Sequence, residues 1–239
     1  LISVRICEGL TYAHELTSPE GKPLHVVHRD MSPPNVLITK HGEVKIVDFG
    51  LAKASSQLEK SEPGIIKGKF SYLSPEAALG GEVDHRTDIF AVGIILWELL
   101  SGRRLFMGDT DFATVKQVQQ AVIPSLHAIR PDVPVELDRI LQRALAKDPV
   151  DRYGSARDLG RDLTALLYKQ GKPVSAFDIA ELVRGAMSQR KKRSTDKASI
   201  IDKLIEEALF EFTSLQDGKE PAETTTRADE PLRLGFEDI

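Results

Sequence analysis

The chain has 239 residues, a formal charge of -4, 41% hydrophobic and 28% charged residues, the balance of a soluble globular domain of ordinary size plus a tail. That charge gives no reason to expect nucleic-acid binding, and the single cysteine, Cys7, rules out an intrachain disulfide and suits a reducing cytoplasm. The longest apolar run, Ile89–Leu100, is too short to span a bilayer and reads as a buried helix.

Residues 1–16 carry apolar side chains at helical spacing (Ile2, Ile6, Leu10, Ala13), with Cys7 as a small core hydrophobe, and the segment SPEGKP ends that helix. Val36–Thr39 and Val44–Val47 are short β-branched runs joined by KHGE, where Gly42 supplies the positive φ of a tight hairpin. From Ser74 the pattern turns helical: Pro75–Leu79, Thr87–Ser101, Asp111–Ala121, Val135–Ala146 and Ser155–Lys169. Composition changes near Gly171–Pro173. Beyond it, Ser175–Met187 reads as a short helix with Asp178 placed to complete a cap, followed by the basic run Arg190–Arg193. An amphipathic stretch, Ile200–Phe212, comes next, and from about Gln216 the composition is that of a disordered tail. The expected fold is α+β: a mainly helical body with a small β-hairpin carrying the polar residues.

Those polar residues are specific in kind. HRDMSPPN (His28–Asn35) and VDFG (Val47–Gly50) set Asp30, Asn35 and Asp48 at the mouth of the hairpin. An acid, an amide and a second acid suit phosphoryl transfer from a magnesium nucleotide: one acid takes the acceptor hydroxyl's proton, and the amide and other acid hold the metal. With SPE (Ser74–Glu76), TDIFAVG (Thr87–Gly93) and the arginine of LAKDPVDRY, these motifs follow one another in a set order. In that order over residues 1–169 the chain resembles the large, C-terminal lobe of eukaryotic-type protein kinases. It is similar to the bacterial serine/threonine branch, and Pro33 points to serine/threonine over tyrosine acceptors.

The resemblance implies roles. Asp30 is the expected base, Asn35 and Asp48 the expected magnesium ligands, and Leu37 the floor under the adenine of ATP, with Ile95 and Leu99 beneath it. His28 and Phe49 are expected in the apolar spine, and Gly50 as the hinge of the activation loop. Glu76 should pair with Arg152, and Asp88 should hold the catalytic-loop backbone. Arg29 should receive a loop phosphate, for which Ser55, Ser56 and Ser61 are candidates while the usual acceptor position falls on Ile65. His25 and His28, three apart, would suit a metal pair by spacing alone, but the kinase reading accounts better for His28.

The chain departs from the family pattern in two places. Most serine/threonine kinases carry Lys where this chain has Ser32, and Thr where it has Lys69. The expectation is an exchange of roles, with Lys69 placing its ammonium near Asp30 and the γ-phosphate and Ser32 supplying the hydroxyl. The Gly-rich phosphate loop and the lysine that grips the α- and β-phosphates are also not among these 239 residues. The chain is therefore expected to be a catalytic lobe inactive by itself, with His28, Phe49 and Leu37 open to water as an apolar patch.

A rival reading is a kinase-derived binding module that recruits a protein partner, for which three correctly spaced polar residues have no chemical use. The Ile200–Phe212 face either docks on its own domain or binds a partner, and the Arg190–Arg193 run reads as a solvated linker or a nucleic-acid patch. The expected organisation is a kinase lobe at 1–169, a linker with amphipathic helices at 170–215 and a tail at 216–239. The expected location is cytoplasmic, with membrane attachment through a segment outside this chain left open.

Overall fold

The computed structural model describes residues 1–49, 69–171 and 173–190, with the side chain of Lys69 outside that set. Also outside the described residues are Gly50, the loop serines Ser55, Ser56 and Ser61 with Ile65, the Ile200–Phe212 stretch and the tail. The chain divides into two units, Leu1–Ala186 and Met187–Ile239.

The first unit is organised around α3 (Arg86–Ser101), where burial runs unbroken from Thr87 to Ile95 and includes Trp97. A helix apolar on every side must be covered on every side. It is packed by α1 (Ile2–His14), α5 (Leu126–Ile129), α6 (Val135–Ala144) and α7 (Ala156–Lys169). Helix α1 buries Val4, Ile6, Cys7, Leu10 and Ala13 and runs along α7. The approach is close because Gly160 has no side chain: a Cβ there would meet that of Cys7 at 3.0 Å. Burial pushes the Cys7 thiol up to about 12, helped by Glu8, so it stays protonated as an inert core residue.

Small polar residues start the helices. Ser74 caps α2 (Pro75–Ala78), Thr110 caps α4 (Asp111–Gln120) and Ser155 caps α7, each accepting a backbone N–H of the first turn. Helix α5 is too short for periodicity to betray it. It is held from outside by Asp138 of α6, which accepts from the Leu126 N–H at 2.6 Å and from the Ser125 hydroxyl at 2.8 Å.

The strands β1 (Val36–Ile38) and β2 (Val44–Ile46) form one antiparallel pair, Val36 opposite Ile46 and Ile38 opposite Val44. Gly42 turns the hairpin at φ +85°, and Ile46 packs on Gly9 of α1. After α7 the backbone is helical again over 176–190, here α8. Its start is a capping box in which the N–H and hydroxyl of Ser175 both donate to Asp178 Oδ2 at 2.7 Å. Among the described residues no helix is long and apolar enough to cross a membrane.

Candidate active site

The site hangs from one buried carboxylate. Asp88, in the first turn of α3, is 1% exposed. Its Oδ1 accepts from the Arg29 N–H at 2.9 Å and its Oδ2 from the His28 N–H at 2.8 Å. A third donor is His14 Nε2, 2.8 Å from Oδ2. A buried carboxylate persists only where charge-assisted donors replace water, and here two of the three belong to the loop that carries Asp30. Sequence reasoning anticipated Asp88 and missed His14. The available signal was its position four residues after Leu10, on the buried face of α1.

His28 joins that loop to the hairpin. Its Nδ1 accepts from the Asp30 N–H at 3.2 Å, so Nε2 carries the proton and donates to Val47 O at 3.0 Å. Both ring nitrogens are thus engaged with backbone, which leaves neither for a metal. The Phe49 ring lies 4.5 Å from the imidazole, tilted by 49°. The expectation that His28 would lie open to water is wrong: it is fully buried, because the hairpin and loop close over it, while Phe49 is half-buried.

Asn35 ends a short 3-10 turn (Pro33–Asn35) capped by Ser32, whose carbonyl accepts from the Asn35 N–H at 3.0 Å. The Asn35 amide nitrogen donates to Asp30 O at 2.7 Å, which turns Oδ1 away from that carbonyl. The Asn35 carbonyl accepts from the Val47 N–H at 3.0 Å, so the residue before Asp48 is tied to both Asn35 and His28. Asp48 is exposed at φ +57°, and Arg29 takes φ +63°. Two non-glycine residues in the left-handed region within one site are the kind of backbone strain that accompanies function.

Asn35 Oδ1 and the Asp48 carboxylate are hard oxygen donors, which fits magnesium. That ion is commonly held by one or two protein oxygens, with phosphates and water completing its shell. Leu37, the expected adenine floor, is 51% exposed. Ile95 lies in the core, but Leu99 is 56% exposed. Leu99 is the last apolar residue but one before the α3 C-cap, where the helix emerges from its neighbours.

Two further polar assemblies hold the segment that enters α2. Glu76 receives both Arg152 amino groups, at 2.8 and 2.7 Å. The guanidinium also donates to the carbonyls of Ala146, Arg86 and Lys147, so all five of its N–H groups are used, and it lies 4.7 Å from the Phe90 ring centroid. Burial alone would raise the Glu76 carboxyl, but the Arg152 hydrogen bonds and charge, with further hydrogen bonds, hold it below its usual range. The second assembly was not foreseen. Tyr72 donates to Glu98 Oε2 at 2.7 Å, and Arg104 reaches both of them. Burial, then Glu98, pushes the Tyr72 phenol up, so it serves as a donor.

The protein kinase domain profile matches residues 1–162. The chain belongs to the protein kinase family. Among curated kinases, the tyrosine-protein kinase MasK of Myxococcus xanthus is 39% identical over 199 residues, 83% of this chain and 30% of that protein. The serine/threonine-protein kinase PknL of Mycobacterium tuberculosis is 38% identical over 148 residues, 62% of this chain and 37% of that protein. The serine/threonine-protein kinase PrkC of Bacillus subtilis is 37% identical over 162 residues, 68% of this chain and 24% of that protein. The chain thus spans between about a quarter and just over a third of these relatives' length, and the bacterial branch of the kinase family is where it lies.

Proposed function

We propose that these residues form the catalytic lobe of a protein kinase that moves the γ-phosphoryl group of ATP onto serine or threonine hydroxyls of a protein. The observation that carries this reading is the set of hydrogen bonds joining Asp30, Asn35 and the residue before Asp48 around His28, all suspended from Asp88. Asp30 orients the acceptor hydroxyl and receives its proton. Asn35 and Asp48 hold magnesium, which when bound neutralises phosphate charge. Leu37 lies under the adenine. Lys69 and Ser32 act as an exchanged pair beside Asp30. Lys69→Met in an active form carrying these residues should lower turnover tenfold or more, and a change within about twofold sinks the exchange.

The first experiment is calorimetry of magnesium-dependent ATP binding to the chain, with Asp48→Ala as control. Micromolar binding lost in Asp48→Ala supports a site that holds nucleotide by itself. Binding weaker than about 1 mM, only ~4 kcal/mol, means that the pocket needs further residues, in keeping with little Asp30-dependent labelling of an acceptor by this chain alone.

A tyrosine acceptor is the second reading, favoured by the extent of the MasK match. The PknL and PrkC matches and Pro33 favour serine/threonine. Paired peptides that differ only in Ser, Thr or Tyr at the acceptor position decide between them, and transfer confined to Tyr overturns the first reading.

A further inference from the structure

Helix α8 begins beyond the residues that the kinase profile matches, yet it seats on the hairpin that carries the proposed metal ligands. Its contact face runs at helical spacing: Ile179 and Ala180 are each 3% exposed, with Ala176 and Val183 half-buried. Gly42, in the 39–43 turn, lies against it. A Cβ on Gly42 would lie 1.8 Å from Ala176 O and 3.0 Å from Ala180 N, so only a glycine lets the helix backbone come so near, and its φ of +85° needs glycine as well.

The turn itself is stiff. Thr39 Oγ1 accepts from the His41 and Glu43 N–H groups at 3.3 and 3.1 Å. The Thr39 N–H donates to Glu43 O, and the Gly42 N–H to Thr39 O, both at 2.9 Å. A turn tied this way passes a displacement into the strands rather than absorbing it. The strands need the support, because a hairpin of three residue pairs is marginal without packing. Its open end is held by the bonds of Val47 to His28 and Asn35, and its flank by Ile46 on Gly9. The closed end is held by α8.

We propose that the first turns of α8 are a positioning element for the metal-binding hairpin: seated on Gly42, they keep β1 and β2 in the register that sets Asn35 beside Val47 and Asp48. The structural half of this inference is independent of activity; its consequence for metal binding rests on the function proposed above. Lifting α8 off the turn loosens the site without touching any residue that meets nucleotide.

The test uses the full chain. Ile179→Asp places a carboxylate on the buried contact face, and amide hydrogen exchange is read by NMR. Exchange at Thr39, Gly42 and Val47 should rise about tenfold or more while amides within α3 stay protected, and magnesium-ATP affinity should fall with it. If α8 loses protection and those three amides do not change, the inference is overturned. An equal rise across α3 also overturns it, because α8 would then be a general stabiliser. Should Ile179→Asp fail to fold, Ala180→Leu, at a position 3% exposed on the same face, lifts the helix by bulk alone without a buried charge or a strained turn, and is read at the same three amides with the same outcomes. If the three amides respond but no form of the chain binds magnesium-ATP, the positioning inference stands and the pocket needs further residues to hold nucleotide; the proposed function fails separately, if Asp30→Ala leaves acceptor labelling by an active form carrying these residues unchanged.

Discussion

The Glu76–Arg152 anchor and the Asp30–Asn35–Asp48 hairpin are polar assemblies in the same unit, arranged on opposite terms. In the anchor every guanidinium N–H has a protein acceptor and the side chain is sealed from water. At the hairpin the backbone of Asp30, Asn35 and Val47 is tied by hydrogen bonds, while Asp48 and Leu37 are presented to solvent. One group of residues is complete in itself. The other is left open, and on the proposed function a ligand completes it.

That contrast fixes the order of expected effects. Arg152→Ala empties a fully buried guanidinium site and strands the half-buried Glu76 carboxylate, and should cost roughly 3–5 kcal/mol in chemical denaturation; a loss below about 1 kcal/mol would mean that water replaces the guanidinium. Asp88→Asn keeps the shape but supplies one acceptor oxygen where three donors converge. It should cost about 1–3 kcal/mol, with exchange rising first at the His28 and Arg29 amides. Equal loosening throughout the chain would make Asp88 an ordinary core residue.

The anchor should also show in the pH dependence. The Glu76 carboxyl titrates lower folded than unfolded, so its contribution is fully present above the unfolded value and is lost as pH falls through the lower folded one. Urea midpoints of wild type should therefore drop below about pH 4.3 more steeply than those of Glu76→Gln. Parallel curves would show that the pair contributes no acid sensitivity.

At the site the sign reverses. Asp48→Gly removes a side chain from a left-handed backbone position and should leave stability within about 1 kcal/mol of wild type, or raise it, while abolishing magnesium-dependent nucleotide binding. Smallest of all, Arg157→Ala breaks an exposed ion pair with Glu15 and should not move the denaturation midpoint measurably.

Much of this was legible in advance, for identifiable reasons. Helices α1, α3, α6 and α7 are long enough for apolar spacing to show, and the hairpin was marked by β-branched runs around Gly42. The capping box at Ser175 and Asp178 was legible because its partners are three residues apart. Helix α5 was not, since four residues carry no period and its support comes from Asp138. The Tyr72–Glu98–Arg104 group was invisible because Tyr72 meets the other two across 26 and 32 residues of chain.

By itself, the sequence determined the family, the helical body and the identity of the three polar residues at the hairpin mouth, because those depend on local pattern and motif order. Only the tertiary structure decided that His28 is sealed rather than exposed, that His14 completes the Asp88 cluster 74 residues away, and that α8 closes over Gly42. Each of those is a contact between distant segments. Its free energy comes from excluding water between surfaces, and no local pattern records which surfaces will meet.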